Sequence, residues 1–310
     1  TYQYSRIVDG TGSEIGWSVA CDSSGNMYLA GQYGAAPTIK DQAGTSLGTL
    51  PAPSAGTVGF VCKFDSSGTY QYSRIVDGTG TEIGYSVACD SSGNMYLAGY
   101  YDTAAPTIKD QAGTSLGTLP APSGSTAAAF VCKFDSSGTY QYSRIVDGTG
   151  AEYGYSVVCD SSGNMYLAGQ YATAAPTIKD QAGTSLGTLP APAGGSVAFV
   201  CKFDSSGTYQ YSRIVDGTNT DVGYSVACDS SGNMYFAGRY DTVAPTIKDQ
   251  AGTSLGTLPA PAGGSVAFVC KFNSSGTYQY SRIVDNTSTD IGYGVTCDSN
   301  GNMYLAGQYG

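Results

Sequence analysis

Apolar and polar residues alternate with a period of two along short segments of this chain. Residues 130–134, 139–146, 154–159 and 164–169 follow this alternation or are rich in β-forming side chains. Asp-Ser-Ser-Gly tetrads and a Gly-Thr-Gly loop separate these segments, and glycine suits the positive φ that such turns often need. The pattern predicts four short antiparallel strands, and no segment has helical periodicity, so we expect an all-β fold.

The same pattern recurs along the whole chain. The motif TYQYSRIVDGTG, or a close variant of it, begins at Thr1, Thr69, Thr139, Thr208 and Thr277. It defines the repeats 1–68, 69–138, 139–207 and 208–276, followed by the half repeat 277–310. A fixed period indicates one supersecondary unit copied in series, so residues 1–310 are interpreted as a single repeat domain.

A longer link separates the last strand of each unit from the next FVCKF segment. Its 18-residue core, APTIKDQAGTSLGTLPAP, is identical at 36–53, 105–122, 175–192 and 244–261. The internal glycines and flanking prolines predict a compact excursion on one rim, with an extra hairpin as a candidate structure. The Pro-Ala-Pro end cannot donate ladder hydrogen bonds and is therefore not expected in the middle of a sheet.

Residues 60–99, FVCKFDSSGTYQYSRIVDGTGTEIGYSVACDSSGNMYLAG, carry a specific resemblance. This stretch resembles the β-propeller repeat called SBBP, which is found in secreted and surface proteins, and the likeness extends over every repeat. The resemblance implies a β-propeller of about five four-stranded blades, one per repeat, with the last blade incomplete. It implies the blade order SVACD innermost, then NMYLAG, FVCKF and TYQYSRIV, and it implies no catalytic residues.

The half repeat leaves one blade without its third strand. Residues 1–8 could supply the outermost strand of the fifth blade and 292–309 its first two, but no fifth FVCKF segment is present. An absent strand leaves open ladder edges, which natural proteins avoid. Three explanations stay open: a longer repeat array, a strand donated by a neighbouring molecule, or an open superhelix. We therefore expect self-association or a continuation of the same repeat chain.

The composition of the chain bears on its partners and on its location. Charged residues make up 12% of the chain and the net charge is −10. No basic cluster is present to neutralise phosphates, so we expect no nucleic-acid partner. No apolar run approaches the roughly 18 residues of a membrane span. Low charge with abundant Gly, Ser, Thr and Tyr favours an extracellular or cell-surface protein, and the abrupt start at Thr1 suggests a mature product or a segment of a longer one.

Nine cysteines fall into two series. Those in SVACD-type segments are Cys21, Cys89, Cys159, Cys228 and Cys297, and those in FVCKF are Cys62, Cys132, Cys201 and Cys270. In the blade order that the resemblance implies, a strand separates the two series by about 9.6 Å, too far for a disulfide. Buried thiols are the favoured interpretation, with bonds between neighbouring blades as the alternative. Metal binding by the cysteines is not expected, because their spacing is wrong and histidine is absent.

Two acidic residues, five positions apart, flank each Gly/Thr loop. They are Asp9 and Glu14, Asp77 and Glu82, Asp147 and Glu152, Asp216 and Asp221, and Asp285 and Asp290. Carboxylates at this spacing make weak candidates for a Ca²⁺ site, and a solvated turn is the alternative. A glycosidase pair is not favoured, because one loop is copied five times. Without histidine, a GxSxG motif or a phosphate loop, we expect no cofactor and no enzyme.

Tyrosine is the commonest aromatic residue, with 26 copies. Each TYQY motif places two of them on one strand face, where they can stack on sugars or on neighbouring subunits, although packing within the sheet is the plainer interpretation. Sequons at Asn273 and Asn286 and the arginine of each SRIVD motif add weak candidates for a glycan and for ligand contact.

These observations favour an extracellular structural or scaffold protein that builds a filament or a surface coat. A multivalent, lectin-like carbohydrate-binding propeller is the alternative, with one weak site per blade.

Overall fold

A computed structural model describes residues 3–102, 104–124, 126–172, 174–241, 243–298 and 300–310. All 27 elements in these ranges are β-strands, which confirms the all-β prediction. Among the described residues, no helix is long and apolar enough to cross a membrane.

Four strand types recur, and we name them by their position in the sheet. The inner strands are β2 (Ile15–Cys21), β8 (Glu82–Cys89), β14 (Glu152–Cys159), β20 (Val222–Cys228) and β26 (Ile291–Cys297). The second strands are β3 (Met27–Tyr33), β9 (Met95–Tyr101), β15 (Met165–Tyr171), β21 (Met234–Asp241) and β27 (Met303–Gln308).

Third and fourth strands complete four of the sheets. The third strands are β6 (Val58–Phe64), β12 (Ala128–Phe134), β18 (Val197–Phe203) and β24 (Ser265–Phe272). The fourth strands are β1 (Arg6–Asp9), β7 (Tyr70–Asp77), β13 (Tyr140–Asp147), β19 (Tyr209–Asp216) and β25 (Tyr278–Val284). The order inner, second, third, fourth is observed in four sheets, as the resemblance implied.

The link between the second and third strands forms a hairpin of two short strands, which we call the insert hairpin. Its copies are β4 (Thr38–Asp41) with β5 (Ser46–Thr49), β10 (Thr107–Asp110) with β11 (Ser115–Thr118), β16 (Thr177–Asp180) with β17 (Ser185–Thr188), and β22 (Thr246–Asp249) with β23 (Ser254–Thr257). Each hairpin leaves its own sheet and pairs with the fourth strand of the preceding one, as β10 does with β7. Consecutive sheets are thereby joined by backbone hydrogen bonds.

The core lies between consecutive sheets. Third strands β6, β12 and β18 are buried along their whole length, because neighbouring sheets cover both of their faces. On the second strands, tyrosines such as Tyr28 and Tyr96 point into the layer between sheets and pack with valines of the next inner strand. Apolar side chains on both faces of a strand follow from this two-sided burial.

The sheets form an open series in the part of the chain that the structure describes. Inner strands β2, β8, β14, β20 and β26 are successive neighbours, and the last sheet contains only β26 and β27. Strand β1 pairs with β4 rather than with this last sheet. The fourth strands β7, β13 and β19 also pair with an insert hairpin, on the edge away from their third strand. The pairing of β1 with β4 therefore does not decide whether the chain start completes the fifth blade, which stays a prediction.

Candidate functional site

The interface between consecutive repeats is held by a hydrogen bond that recurs at every step. The hydroxyl of Ser86 accepts from the backbone N–H of Val157 at 3.1 Å, and the donor and acceptor belong to adjacent inner strands. Equivalent bonds join Ser18 to Val87, Ser156 to Val226 and Ser225 to Val295. In the last repeat Gly294 occupies the serine position.

An arginine reaches across the same interface at the opposite end of the sheet. Nε of Arg144 donates at 2.6 Å to the carbonyl of Gly207, in the turn between β18 and β19 of the next sheet, and Nη1 donates to the carbonyl of Ser143. Its guanidinium lies over the ring of Tyr142. Arg6, Arg74 and Arg213 make the same bond between consecutive sheets. These contacts favour the structural interpretation of the SRIVD arginines.

Lysines of the third strands add a further inter-repeat contact. Nζ of Lys133 donates to the carbonyl of Ser205 at 2.8 Å and lies over the rings of Tyr96 and Tyr142. Lys63 and Lys202 repeat this arrangement. The second TYQY tyrosine is therefore covered by cations inside the repeat interface, so packing accounts for the TYQY motif.

In four of the Gly/Thr loops, the first carboxylate pairs with a lysine on an insert hairpin. Asp147 accepts from Nζ of Lys179 at 2.5 Å and from the hydroxyl of Ser123 at 2.7 Å. Asp77 pairs with Lys109, Asp216 with Lys248 and Asp9 with Lys40. Asp285 instead accepts from the backbone N–H of Ala262. The aspartate–lysine pairs therefore hold the insert hairpin against the fourth strand.

The second carboxylate of the loop is buried and bonds its own backbone. Glu152 Oε2 accepts from the N–H of Gly148 at 2.8 Å, while Oε1 is buried without a hydrogen-bond partner. Burial raises the pKa of Glu152 to about 8, against the opposing effect of the Gly148 bond. Burial likewise raises the pKa of Glu82 to about 7 and that of Asp221 to about 8. Glu14 and Asp290 accept from the corresponding backbone position.

The calcium hypothesis stays a prediction. The two carboxylates of each loop have separate partners: a lysine for the first in four loops, the Ala262 backbone for Asp285, and the loop's own backbone for the second. Within the described ranges, no group of three or more Cys, Asp or Glu side chains is placed to hold a metal ion.

The Asp-Ser-Ser-Gly-Asn segments are hairpin turns. Oδ1 of Asp160 accepts from the N–H groups of Ser162 and Asn164, and Oδ2 accepts from the Asn164 amide and the Tyr166 hydroxyl. Gly163 has a φ of 75°, which requires glycine here. The turn interpretation is therefore confirmed for these residues.

All nine cysteines are free thiols, but the buried-thiol interpretation holds only for the third-strand series. Cys21 is exposed, and the other inner-strand cysteines are half-buried. Cys62 lies between Leu29 on the second strand and Ser73 on the fourth, so a strand separates it from Cys21. Burial raises the pKa of the third-strand thiols and raises the pKa of Cys89 to about 12. Thiols held in this protonated state are poor nucleophiles.

An aromatic row runs along the inner strands, and the sequence reasoning missed it. A β-bulge in each inner strand leaves one residue opposite no partner, as Tyr155 is between Gly154 and Ser156. That residue is aromatic in every repeat: Trp17, Tyr85, Tyr155, Tyr224 and Tyr293. Bulges re-aim side chains, and consecutive ring centroids here lie 5.4 to 5.6 Å apart. The recurring GYSV motif was the available signal.

Two further tyrosines widen the row between the second and third inner strands. Tyr100 lies 5.8 Å from Tyr85, and Tyr153 lies 4.8 Å from Tyr100 and 5.9 Å from Tyr155. We call Tyr85, Tyr100, Tyr153 and Tyr155 the four-ring cluster. Burial raises the pKa of Tyr100 to about 12 and also raises that of Tyr85, so these phenols are protonated at neutral pH.

No protein-family model matches this chain. An uncharacterized WD repeat-containing protein of Acanthamoeba polyphaga mimivirus is 27% identical over 173 residues. The match covers 51% of this chain and 12% of that protein, so the chain corresponds to a small part of the relative's length.

Solved structures show only distant likeness. Sqt1 from Chaetomium thermophilum is 12% identical, with 97% of this chain and 95% of that chain covered and a TM-score of 0.31. Regucalcin from Agrobacterium tumefaciens, a calcium-binding protein, is 13% identical, with 86% and 84% covered and a TM-score of 0.29. These TM-scores are too low to carry an argument about this chain, whose repeated antiparallel sheets are established by its own strand pairing.

Proposed function

We propose that this chain is an extracellular structural repeat protein whose copies stack head to tail to build a filament or a surface coat. The observation that carries the proposal is the exposure of interface side chains on the two end sheets. Val19 on β2 is 63% exposed, whereas its counterpart Val157 is 5% exposed. Tyr304 on β27 is 55% exposed, whereas its counterpart Tyr166 is fully buried.

The two end faces are complementary because neighbouring repeats already use them on each other. Within the chain, the tyrosine of each second strand lies in the same core cluster as the valine of the next inner strand, as Tyr28 does with Val87. Tyr304 offers the first side of this contact and Val19 the second. A contact between two different surfaces propagates as an open filament when its rotation does not close. Burying one such side chain is worth about 1.5–3 kcal/mol.

Sedimentation velocity over a range of concentrations tests the assembly. We expect the 310-residue chain to self-associate, and either Val19→Lys or Tyr304→Lys to weaken association at least tenfold. An equimolar mixture of the two variants should form dimers, because each retains one intact face. Val243→Lys, at a loop position that is 42% exposed, is the control. Monomers at high concentration for the unmodified chain would refute the proposal.

We also infer that each repeat is a propeller-type blade, in line with the resemblance to SBBP repeats. The order inner, second, third, fourth supports this inference. Small-angle X-ray scattering separates a compact ring of about five blades from an extended open series, and the exposure of Val19 and Tyr304 on the two end sheets favours the open series for the isolated chain.

Carbohydrate binding is the second candidate function, and the aromatic row favours it. Indole and phenol rings stand beside amide side chains, as in the hydrogen bond from Trp17 Nε1 to Gln32 Oε1 at 3.0 Å. Aromatic rings with a polar edge suit the apolar faces and hydroxyls of sugars. Affinity electrophoresis in a soluble neutral glucan should then show retardation that Trp17→Ala reduces and Tyr309→Ala does not. Equal mobility with and without glucan would exclude this candidate.

A further inference from the structure

The four-ring cluster joins two repeats through direct contacts between phenol rings. Tyr85 and Tyr100 belong to β8 and β9, and Tyr153 and Tyr155 belong to the adjacent sheet. The closest pair across the boundary is Tyr100 and Tyr153, whose centroids are 4.8 Å apart at an interplanar angle of 81°. At this separation and angle, the edge of one ring lies against the other ring.

This pair is peculiar to one boundary. The position of Tyr153 is occupied by Ile15, Ile83, Val222 and Ile291 in the other inner strands, and that of Tyr100 by Gln32, Gln170, Arg239 and Gln308 in the other second strands. Both tyrosines are partly exposed, whereas Tyr96 and Tyr101 beside them are fully buried. The paired rings are therefore more accessible to an oxidant in solution than their buried neighbours are.

We propose that Tyr100 and Tyr153 form an oxidative cross-linking site. At this site a dityrosine bond links the sheet that contains β9 to the sheet that contains β14. The oxidant is hydrogen peroxide used by a haem peroxidase, which removes one electron at a time from phenols. Each phenol loses one electron and its hydroxyl proton, and the two phenoxyl radicals join through their ortho carbons.

The reaction balances without any other reagent. After the carbon–carbon bond forms, the hydrogen on each joined ortho carbon moves to its ring oxygen and restores the phenol. The two electrons and two protons released reduce one peroxide molecule to two water molecules. The product connects residues 53 positions apart in sequence, Tyr100 and Tyr153. A covalent link of this span restricts the unfolded chain, so the linked protein should melt at a higher temperature. The site goes beyond the proposed assembly and does not depend on it.

Tryptic mass spectrometry tests the site. The chain is treated with peroxidase and peroxide at low concentration, where links between molecules are disfavoured, and then digested. Tyr100 lies in the peptide 75–109 and Tyr153 in the peptide 145–179, since both are bounded by Lys or Arg. We expect a species with the summed mass of the two peptides less two hydrogens, with fragment ions that place the bond at Tyr100 and Tyr153.

Tyrosine-to-phenylalanine variants distinguish a bond between Tyr100 and Tyr153 from bonds between neighbouring tyrosines. Tyr153→Phe should lower the yield of the linked peptides at least fivefold, and Tyr85→Phe combined with Tyr100→Phe should abolish it. Tyr309→Phe, at a highly exposed position, is the control and should leave the yield unchanged. Circular dichroism verifies that each variant is folded. Absence of the linked pair in the unmodified chain, or its persistence in the double variant, would overturn the proposal.

Discussion

The backbone N–H of Val157 donates to the hydroxyl of Ser86, 71 residues earlier in the chain, at 3.1 Å. The bond connects inner strands of two consecutive sheets that share no backbone ladder at this point. Because the same bond recurs at three other boundaries, one side chain per repeat fixes the register between sheets.

Removing this acceptor should destabilise the fold. Ser156→Ala leaves the partly buried N–H of Val226 without its hydroxyl partner, and an unsatisfied buried donor costs about 1–3 kcal/mol. We expect a decrease of about 1 kcal/mol in the free energy of unfolding, measured by urea denaturation. Ser115→Ala, at an exposed position on an insert hairpin, should change it by less than about 0.5 kcal/mol. Equal effects of the two substitutions would contradict this role.

The arginine bond offers a matched pair of variants within the same motif. Arg144→Lys removes the planar fork that reaches both Gly207 and Ser143, and lysine cannot reproduce that geometry. We expect a loss of about 1–2 kcal/mol in unfolding free energy, in the range of hydrogen bonds made by charged groups. Arg282→Lys is the control, because Arg282 is exposed and bonds the neighbouring carbonyl of Ser281. A larger effect at Arg282 would count against the interface interpretation.

The buried carboxyls predict a stability that falls with rising pH. The folded-state pKa of Glu152 is raised to about 8 by burial, above its ordinary value of 4.5. The stabilisation is therefore fully present below about pH 4.5 and is lost as the pH rises through about 8. Glu152→Gln, which stays neutral, should flatten this dependence by on the order of 1–3 kcal/mol. Thermal melts from pH 5 to 9 measure it, and an unchanged slope in the variant would show that Glu152 is not responsible.

Alanine substitutions at two glycines, one on a second strand and one on an inner strand, should change stability in different ways because only the first lies close to another backbone segment. A Cβ at Gly169 would lie 1.8 Å from the carbonyl oxygen of Tyr153, whereas a Cβ at Gly294 would meet nothing within 4 Å. Gly169→Ala should therefore cost more than about 3 kcal/mol or prevent folding, since the β-bulge must open. Gly294→Ala should be neutral or slightly stabilising, because alanine restricts the unfolded chain. Urea denaturation and soluble yield compare the two variants.

The strands and turns could be predicted from short segments of the sequence. The period-two segments mark the four principal strands, and Gly163 and its copies mark the turns, because these features depend on neighbours a few residues away. The sequence also indicated the insert hairpin as a candidate. That the hairpin pairs with the preceding sheet was not predicted, since β7 and the unpaired edges of other strands offer similar backbone groups.

The candidate site was predictable only in part. The loop carboxylates were identified, but their separation into a Lys179 partner for Asp147 and a backbone partner for Glu152 depends on where the hairpin docks. The aromatic row was missed because a simple alternation assigns Tyr155, Val157 and Cys159 to one face. The bulge at Tyr155 breaks that alternation, and a bulge depends on pairing with β15.

The repeat, its strands and its turns follow from the amino-acid sequence, since short-range periodicity and glycine conformation decide these. Tertiary structure alone decided which copies of a residue are buried. Val19 and Val157 occupy the same position in the repeat, yet only Val157 is covered. The physical reason is that burial requires a neighbouring sheet to exclude water from the side chain, and that neighbour comes from a different repeat.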